Sequence, residues 1–263
     1  MVGSYVFVFL AGLVTALATG LGAVPFFFTE TVSDASKTVL WGLASGIMVA
    51  ASCFGLFVEG LAEGTVIEVA IGIAFGCVLV YVSHHILSGA TINPKELPEA
   101  DVRKLLLILG VLTVHSFPEG VAVGVSFAEL NLTGGTELFG FVVPVLAIFM
   151  TIAISVHNIP EGLAVSIPLH HLGVRRWKLV WWSIFSSLPQ PVGAVLAFGF
   201  VRYAEAFMPY GFGFAGGAMV YLVLTEFLPE AFDEGEDLVG SGWYHVTGGF
   251  VLGVLIMVPF LFL

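Results

Sequence analysis

The chain has 263 residues, of which 58% are hydrophobic and 10% charged, with a mean hydropathy of +1.04 and a net charge of −11. Soluble domains are about 45–50% apolar and about 25% charged, so the composition excludes an ordinary soluble domain and indicates a polytopic membrane protein embedded in a lipid bilayer. The charge arises from 19 acids against 8 bases with no basic patch, so no nucleic-acid partner is expected.

Apolar runs long enough to cross a bilayer, about 20 residues each, fall at 4–26, 38–60, 65–87, 105–127, 139–168, 179–202, 208–229 and 243–263. These predict an all-α protein of eight transmembrane helices forming a single transmembrane domain over residues 1–263. The first run lacks a basic flank and is too long for a cleaved signal, so it is expected to remain as a span. Turn and charge signals separate the runs, among them "TETVSDASK", "SGATINPKELPEADVRK" and "HHLGVRRWK". Cys53 and Cys77 lie inside apolar runs and read as reduced packing residues. Lys37, Lys95, Arg103, Lys104, Arg175, Arg176 and Lys178 lie in or beside odd-numbered loops, and Arg202 lies on the other side. The positive-inside rule then places the odd loops in the cytoplasm and both termini outside, in a cell membrane.

The fourth and fifth runs carry a repeated motif. "VHSFPEGVAV" at 114–123 returns as "VHNIPEGLAV" at 156–165. In each copy, i, i+4 spacing sets His and Glu on one helix face, His115 with Glu119 and His157 with Glu161. A carboxylate alone in hydrocarbon costs several kcal/mol, and no Lys or Arg lies within these spans or the neighbouring interiors. A divalent cation answers both problems, because two carboxylates cancel its charge and two imidazoles complete a four-ligand shell. Pro118 and Pro160 each remove an N–H and open the helix, which is tolerated at membrane depth where backbone lines a site. One membrane histidine is commonly a packing residue and one Pro-Gly a kink. Recurrence in successive spans is what points to a metal site.

At these residues the chain resembles the ZIP (Zrt/Irt-like) family of divalent-metal transporters, prokaryotic type. The resemblance implies uptake of Zn2+, or of Fe2+, Mn2+, Co2+ or Cd2+, into the cytoplasm by a homodimer. It also implies inverted three-helix repeats around the kinked spans four and five. The ion is the substrate, and no cofactor or enzymatic activity is expected. His115, Glu119, His157 and Glu161 match the family's transport-site ligands, and Met48 in "SGIMVAASCF" matches a segment that lends a thioether. Three positions depart from the commoner pattern. Ser116 stands where Asn is frequent, Asn158 where Asp can occur, and Gln190 of "SSLPQPVG" where a Glu before Pro is frequent. In the relatives these positions help form a second metal position. Here they are neutral, so they are expected to donate oxygens beside one central ion. Glu226 in "YLVLTEFLPEAF" resembles a family glutamate and is a candidate exit residue near the cytoplasmic face. His84, His85, His170, His171 and His245 lie near the same ends of the spans. The alternative class is an intramembrane zinc-dependent hydrolase, which needs an open ligand position and a general base. No H-E-x-x-H motif is present.

Overall fold

In hydrocarbon every backbone N–H and C=O must find a partner inside the chain, so long charge-free runs resolve as helices. The structure is a computed structural model that describes residues 2–89, 116–131, 135–171 and 173–259. Helix α1 (Val2–Thr19) contains no charge and tightens into a 3-10 stretch, Gly20–Phe27, that accommodates Pro25. The Ser33 side chain accepts a hydrogen bond from Ser36 N at 3.2 Å and so caps α2 (Asp34–Ala50). A π turn at Ala51–Leu56 carries α2 into α3 (Phe57–Glu63), and α4 is Val66–Gly89. Residues 116–126 form α5. After strands β1 (Thr136–Leu138) and β2 (Phe141–Val143) come α6 (Val145–His171), α7 (Arg176–Ser186), α8 (Pro189–Tyr203) and α9 (Met208–Leu222). A second π turn, Val223–Phe227, leads into α10 (Leu228–Glu234), and α11 is Trp243–Met257.

Among the described residues, six helical stretches are long and apolar enough to cross a membrane: Val2–Phe27, Asp34–Glu63, Val66–His85, Val145–Ile167, Arg176–Tyr203 and Glu205–Glu234. Trp243–Met257 is a shorter apolar helix. The first half of the run expected at 105–127, with His115, lies outside the described residues, and α5 lies in its described half. Large apolar side chains such as Phe75, Trp181, Leu196 and Leu255 are exposed on the outside of the bundle, as lipid-facing surfaces require.

The expectation of purely helical structure needs correction at residues 139–143. These were expected to open the fifth span, yet β1 and β2 pair antiparallel with Leu138 opposite Phe141. Phe139 (φ 50) and Gly140 (φ 81) take the left-handed backbone of a tight hairpin turn, which no right-handed helix can include. The helix begins only after Pro144. The sixth span also differs from a continuous helix, since α7 stops at Ser186 and α8 restarts at Pro189.

Two helix pairs pack backbone against backbone. A Cβ on Gly42 or Gly46 of α2 would strike the Val246 or Phe250 carbonyl of α11, and one on Gly249 or Gly253 would strike Val39 or Leu43 in return. Helices α4 and α9 repeat the arrangement, with Gly72 and Gly76 against Tyr210 and Phe214, and Gly213 and Gly217 against Val69 and Ile73. In both pairs the glycines recur every four residues along one face, the small-residue spacing that lets membrane helices approach closely. The π turns fall in the helices that each pair begins or ends with, after α2 and after α9.

Candidate metal centre

Helices α5, α6 and α8 converge on one buried cluster with α1 behind it. Helix α5 contributes Glu119 and Ser116, and α6 contributes His157, Asn158 and Glu161. Gln190 comes from the first turn of α8. All six side chains are fully buried. The chain break before α8 puts Gln190 at a helix start, next to Pro189 and Pro191, which carry no N–H that would need a partner there. Gly120 lets this turn approach, since a Cβ there would meet the Gln190 carbonyl. Gly162 does the same for α1, against the Thr19 carbonyl.

Glu119, His157 and Glu161 each offer a ligand atom, and these atoms lie within 4.8 Å of one another. Among the described residues this is the one cluster of three or more His, Cys, Asp or Glu side chains so arranged. His157 Nε2 lies 3.1 Å from Glu119 Oε1. Both Glu161 oxygens and His157 Nδ1 are buried and have no hydrogen-bond partner among the described residues. Two carboxylates so close in a low dielectric repel strongly, and unpaired buried carboxylate oxygens are costly. A divalent ion among these atoms would supply the missing charge and the missing partners. The donor set of imidazole nitrogen and carboxylate oxygen suits a borderline transition-metal ion.

On the far side of Glu119 the partners are amides. Asn158 Nδ2 donates to the Thr15 carbonyl at 2.7 Å and to Gln190 Oε1 at 3.0 Å. Gln190 Nε2 donates to Glu119 Oε2 at 2.6 Å and reaches Asn158 Oδ1 at 3.4 Å. One turn along α1, Thr19 Oγ1 donates to Ser187 Oγ at 2.8 Å, at the break in the sixth span. Ser166 and Ser183 both donate to the Gly162 carbonyl, at 2.7 and 3.1 Å. The Gly162 carbonyl lies inside the continuous α6, so these serine bonds add to its helical partner and tie α7 to α6.

Met48 is fully buried in the core next to the π turn. Gly55 of its helix stretch packs on Leu146 and Phe149 of α6, and Trp41 lines a small crevice with Pro160 and Leu163. Met48 falls between these two contacts along its helix. Glu226 is elsewhere. It sits in the second π turn, 21% exposed, with its Oε1 3.0 Å from His84 Nδ1, so it is a partnered, partly exposed carboxylate. His170 likewise pairs with a surface acid, Glu30, at 3.1 Å. The residue that sequence reasoning missed is Thr15. Its signal was faint: Thr15 and Thr19, four apart in the otherwise apolar "LVTALATG".

Comparison with known proteins identifies the family. The family model described as ZIP zinc transporter matches residues 82–258. A protein of Arabidopsis thaliana provisionally named a zinc transporter is 42% identical over 223 residues, covering 84% of this chain. The zinc transporter GufA of Myxococcus xanthus is 30% identical over 264 residues, covering 94% of this chain and 97% of its own length. The zinc transporter ZIP11 of Xenopus tropicalis is 35% identical over 164 residues, covering 61% of this chain. The chain spans only 34% of the plant relative and 47% of the frog one, against nearly all of GufA. With a family match across most of its length, and a bacterial relative matched almost end to end, this multi-pass membrane protein belongs to the ZIP zinc transporter family.

Proposed function

We propose that this protein takes divalent transition-metal ions, Zn2+ foremost, across a membrane into the cytoplasm through the Glu119–His157–Glu161 site. The observation that carries the reading is Glu161, fully buried with both oxygens unpartnered among the described residues and within reach of a second carboxylate and an imidazole. The names of the relatives support zinc as the cargo. His115 is proposed as the fourth ligand from the repeated motif, and Met48 as a thioether ligand from its level in the bundle. Ser116, Asn158 and Gln190 are proposed as neutral partners around the ligands.

A mid-membrane position is supported by where the contributing residues sit. Thr15, Met48, His157 and Gln190 each lie within a turn of the middle of their own membrane-length helices. Transporter sites commonly lie at that depth between inverted repeats. The proposed repeat relates α2–α11 to α4–α9, and it is supported by the matched glycine contacts and the two π turns. Eight spans, outward termini and a homodimer complete the proposal. Glu226 with His84 is the proposed point of exit.

Fe2+, Mn2+, Co2+ and Cd2+ are proposed as competing cargoes, since imidazole and carboxylate accept them all. The hydrolase alternative is less well supported, because no H-E-x-x-H motif is present and the relatives are named as zinc transporters. The deciding experiment is Zn2+ uptake into proteoliposomes, with competition by the other four ions. Wild-type protein without metal-dependent flux would sink the transport reading.

A further inference from the structure

We propose that Gln190 sets which ions the site accepts, by engaging one oxygen of Glu119 and leaving that carboxylate a single oxygen for the metal. This rests on the transport reading above. The reasoning starts from a backbone carbonyl. Thr15 O can only accept, so the Asn158 carboxamide must turn its Nδ2 toward it, at 2.7 Å. The second hydrogen on that nitrogen meets Gln190 Oε1 at 3.0 Å. With its oxygen engaged, Gln190 has only its nitrogen to offer Glu119, and Nε2 donates to Oε2 at 2.6 Å. The two ends of a carboxamide are nearly alike in shape, and their orientation is read from the hydrogen-bond network. Here the network begins at a group with no choice. Asn158, Gln190 and Glu119 are fully buried, so bulk water does not compete for these bonds.

Glu119 is therefore divided. Oε2 accepts a charge-assisted hydrogen bond from Gln190, while Oε1 faces His157 Nε2 at 3.1 Å with Glu161 close by. An ion entering among them finds one oxygen from Glu119. A one-oxygen carboxylate beside imidazole suits the compact four-ligand shell of Zn2+. Ions that seek a larger, oxygen-rich shell, such as Mn2+ and Ca2+, gain from a two-oxygen carboxylate that this arrangement withholds. Gln190 acts through Glu119 and is a positioning residue for selectivity. Asn158 and the Thr15 carbonyl fix its direction.

The test uses full-length wild-type, Gln190→Leu and Asn158→Leu proteins in proteoliposomes, with Zn2+ and Mn2+ uptake measured in competition. Co2+ absorption spectra are recorded on the same preparations. Gln190→Leu removes the donor and frees Oε2. The Zn2+:Mn2+ uptake ratio should then move toward Mn2+ by about tenfold, the scale of one hydrogen bond to a charged group. The Co2+ bands should weaken as the ion gains a further oxygen ligand. Asn158→Leu should shift the ratio the same way but less. A uniform fall in both ions, with ratio and Co2+ bands unmoved, would assign Gln190 a packing role and overturn the proposal. If neither variant accumulates, X-ray absorption at the zinc edge of the wild type decides. A shell without a two-oxygen carboxylate supports the proposal, and a two-oxygen carboxylate overturns it. Failure of the transport reading would show in the wild type, whereas failure of the amide relay shows only in these measurements on selectivity and shell.

Discussion

The outer helix pairs and the centre of the molecule are held together by opposite means. Helices α2 with α11, and α4 with α9, meet glycine against backbone, with no side chain between them at the contact points. Such a contact has no adjustable part, because separation leaves a void and sliding brings a Cβ onto a carbonyl. At the centre, α1, α5, α6 and α8 also approach through glycines, yet what joins them is amide, carboxylate, imidazole and hydroxyl. Those bonds can be exchanged for bonds to an ion. Rigid contacts are concentrated in the outer pairs, and replaceable contacts at the proposed metal site.

The strongest way to break the central half of that comparison is to remove a ligand. Glu119→Ala and Glu161→Ala should each lower Zn2+ uptake by well over the roughly hundredfold seen when supporting groups of metal sites are lost, at normal membrane abundance. Near-normal uptake by either variant would make the site assignment wrong. The outer half is broken by a side chain. Gly46→Val and Gly76→Val should each destabilise the protein by about 3 kcal/mol or more, because the new side chain meets backbone, which cannot rotate away. Thermal unfolding in detergent would register this. A glycine variant with an unchanged midpoint and normal abundance would show that these pairs are looser than described.

A smaller effect sharpens the ligand set. Metal must displace protons from imidazole and carboxylate, so apparent Zn2+ affinity should fall as the medium is acidified from neutral and recover on return. Flat affinity over that range would exclude His157 from the ligands. Smaller again is a change in stoichiometry. Glu119 and Glu161 carry two negative charges, which balance one divalent ion, and a second ion a few ångströms away would be repelled. Equilibrium metal analysis should give about one central ion per chain in the wild type, and Asn158→Asp with Gln190→Glu should add capacity for another. Two central ions located by anomalous scattering in the wild type would defeat the charge argument. The least effect belongs to a partly buried ion pair at the start of α2. Lys37 pairs with Asp34 at 2.8 Å and with Glu234, and Lys37→Met should cost no more than about 1 kcal/mol.

The proposed ligands were legible in the sequence because their chemistry is expensive in an apolar run. Glu119, His157 and Glu161 stand out in a membrane span, and their tandem spacing announces a shared purpose. The amide relay was half legible. Asn158 and Gln190 were visible as polar residues, but their anchor is the carbonyl of Thr15, and a backbone carbonyl belongs equally to every residue. The glycine contacts were hidden by abundance, since a chain with 32 glycines gives no sign of which ones face a partner. The hairpin at 136–143 was lost for a different reason. "TELFGFVV" is as apolar as a helix end, and only Gly140 and Pro144 hint that the chain turns before the span begins.

The break in the sixth span bears on how the protein is made. Its two pieces have 11 and 15 residues, each shorter than the roughly 20 that cross a bilayer alone. Between them, Ser187 and Gln190 present polar groups that lipid cannot satisfy. Such a segment has no comfortable place in hydrocarbon until Thr19 meets Ser187 and until Asn158 and Glu119 meet Gln190. All of those partners lie earlier in the chain, and so leave the ribosome first. The receptacle is therefore assembled before its last wall arrives, and the order of synthesis is the order in which the buried polar groups of the sixth span can be matched.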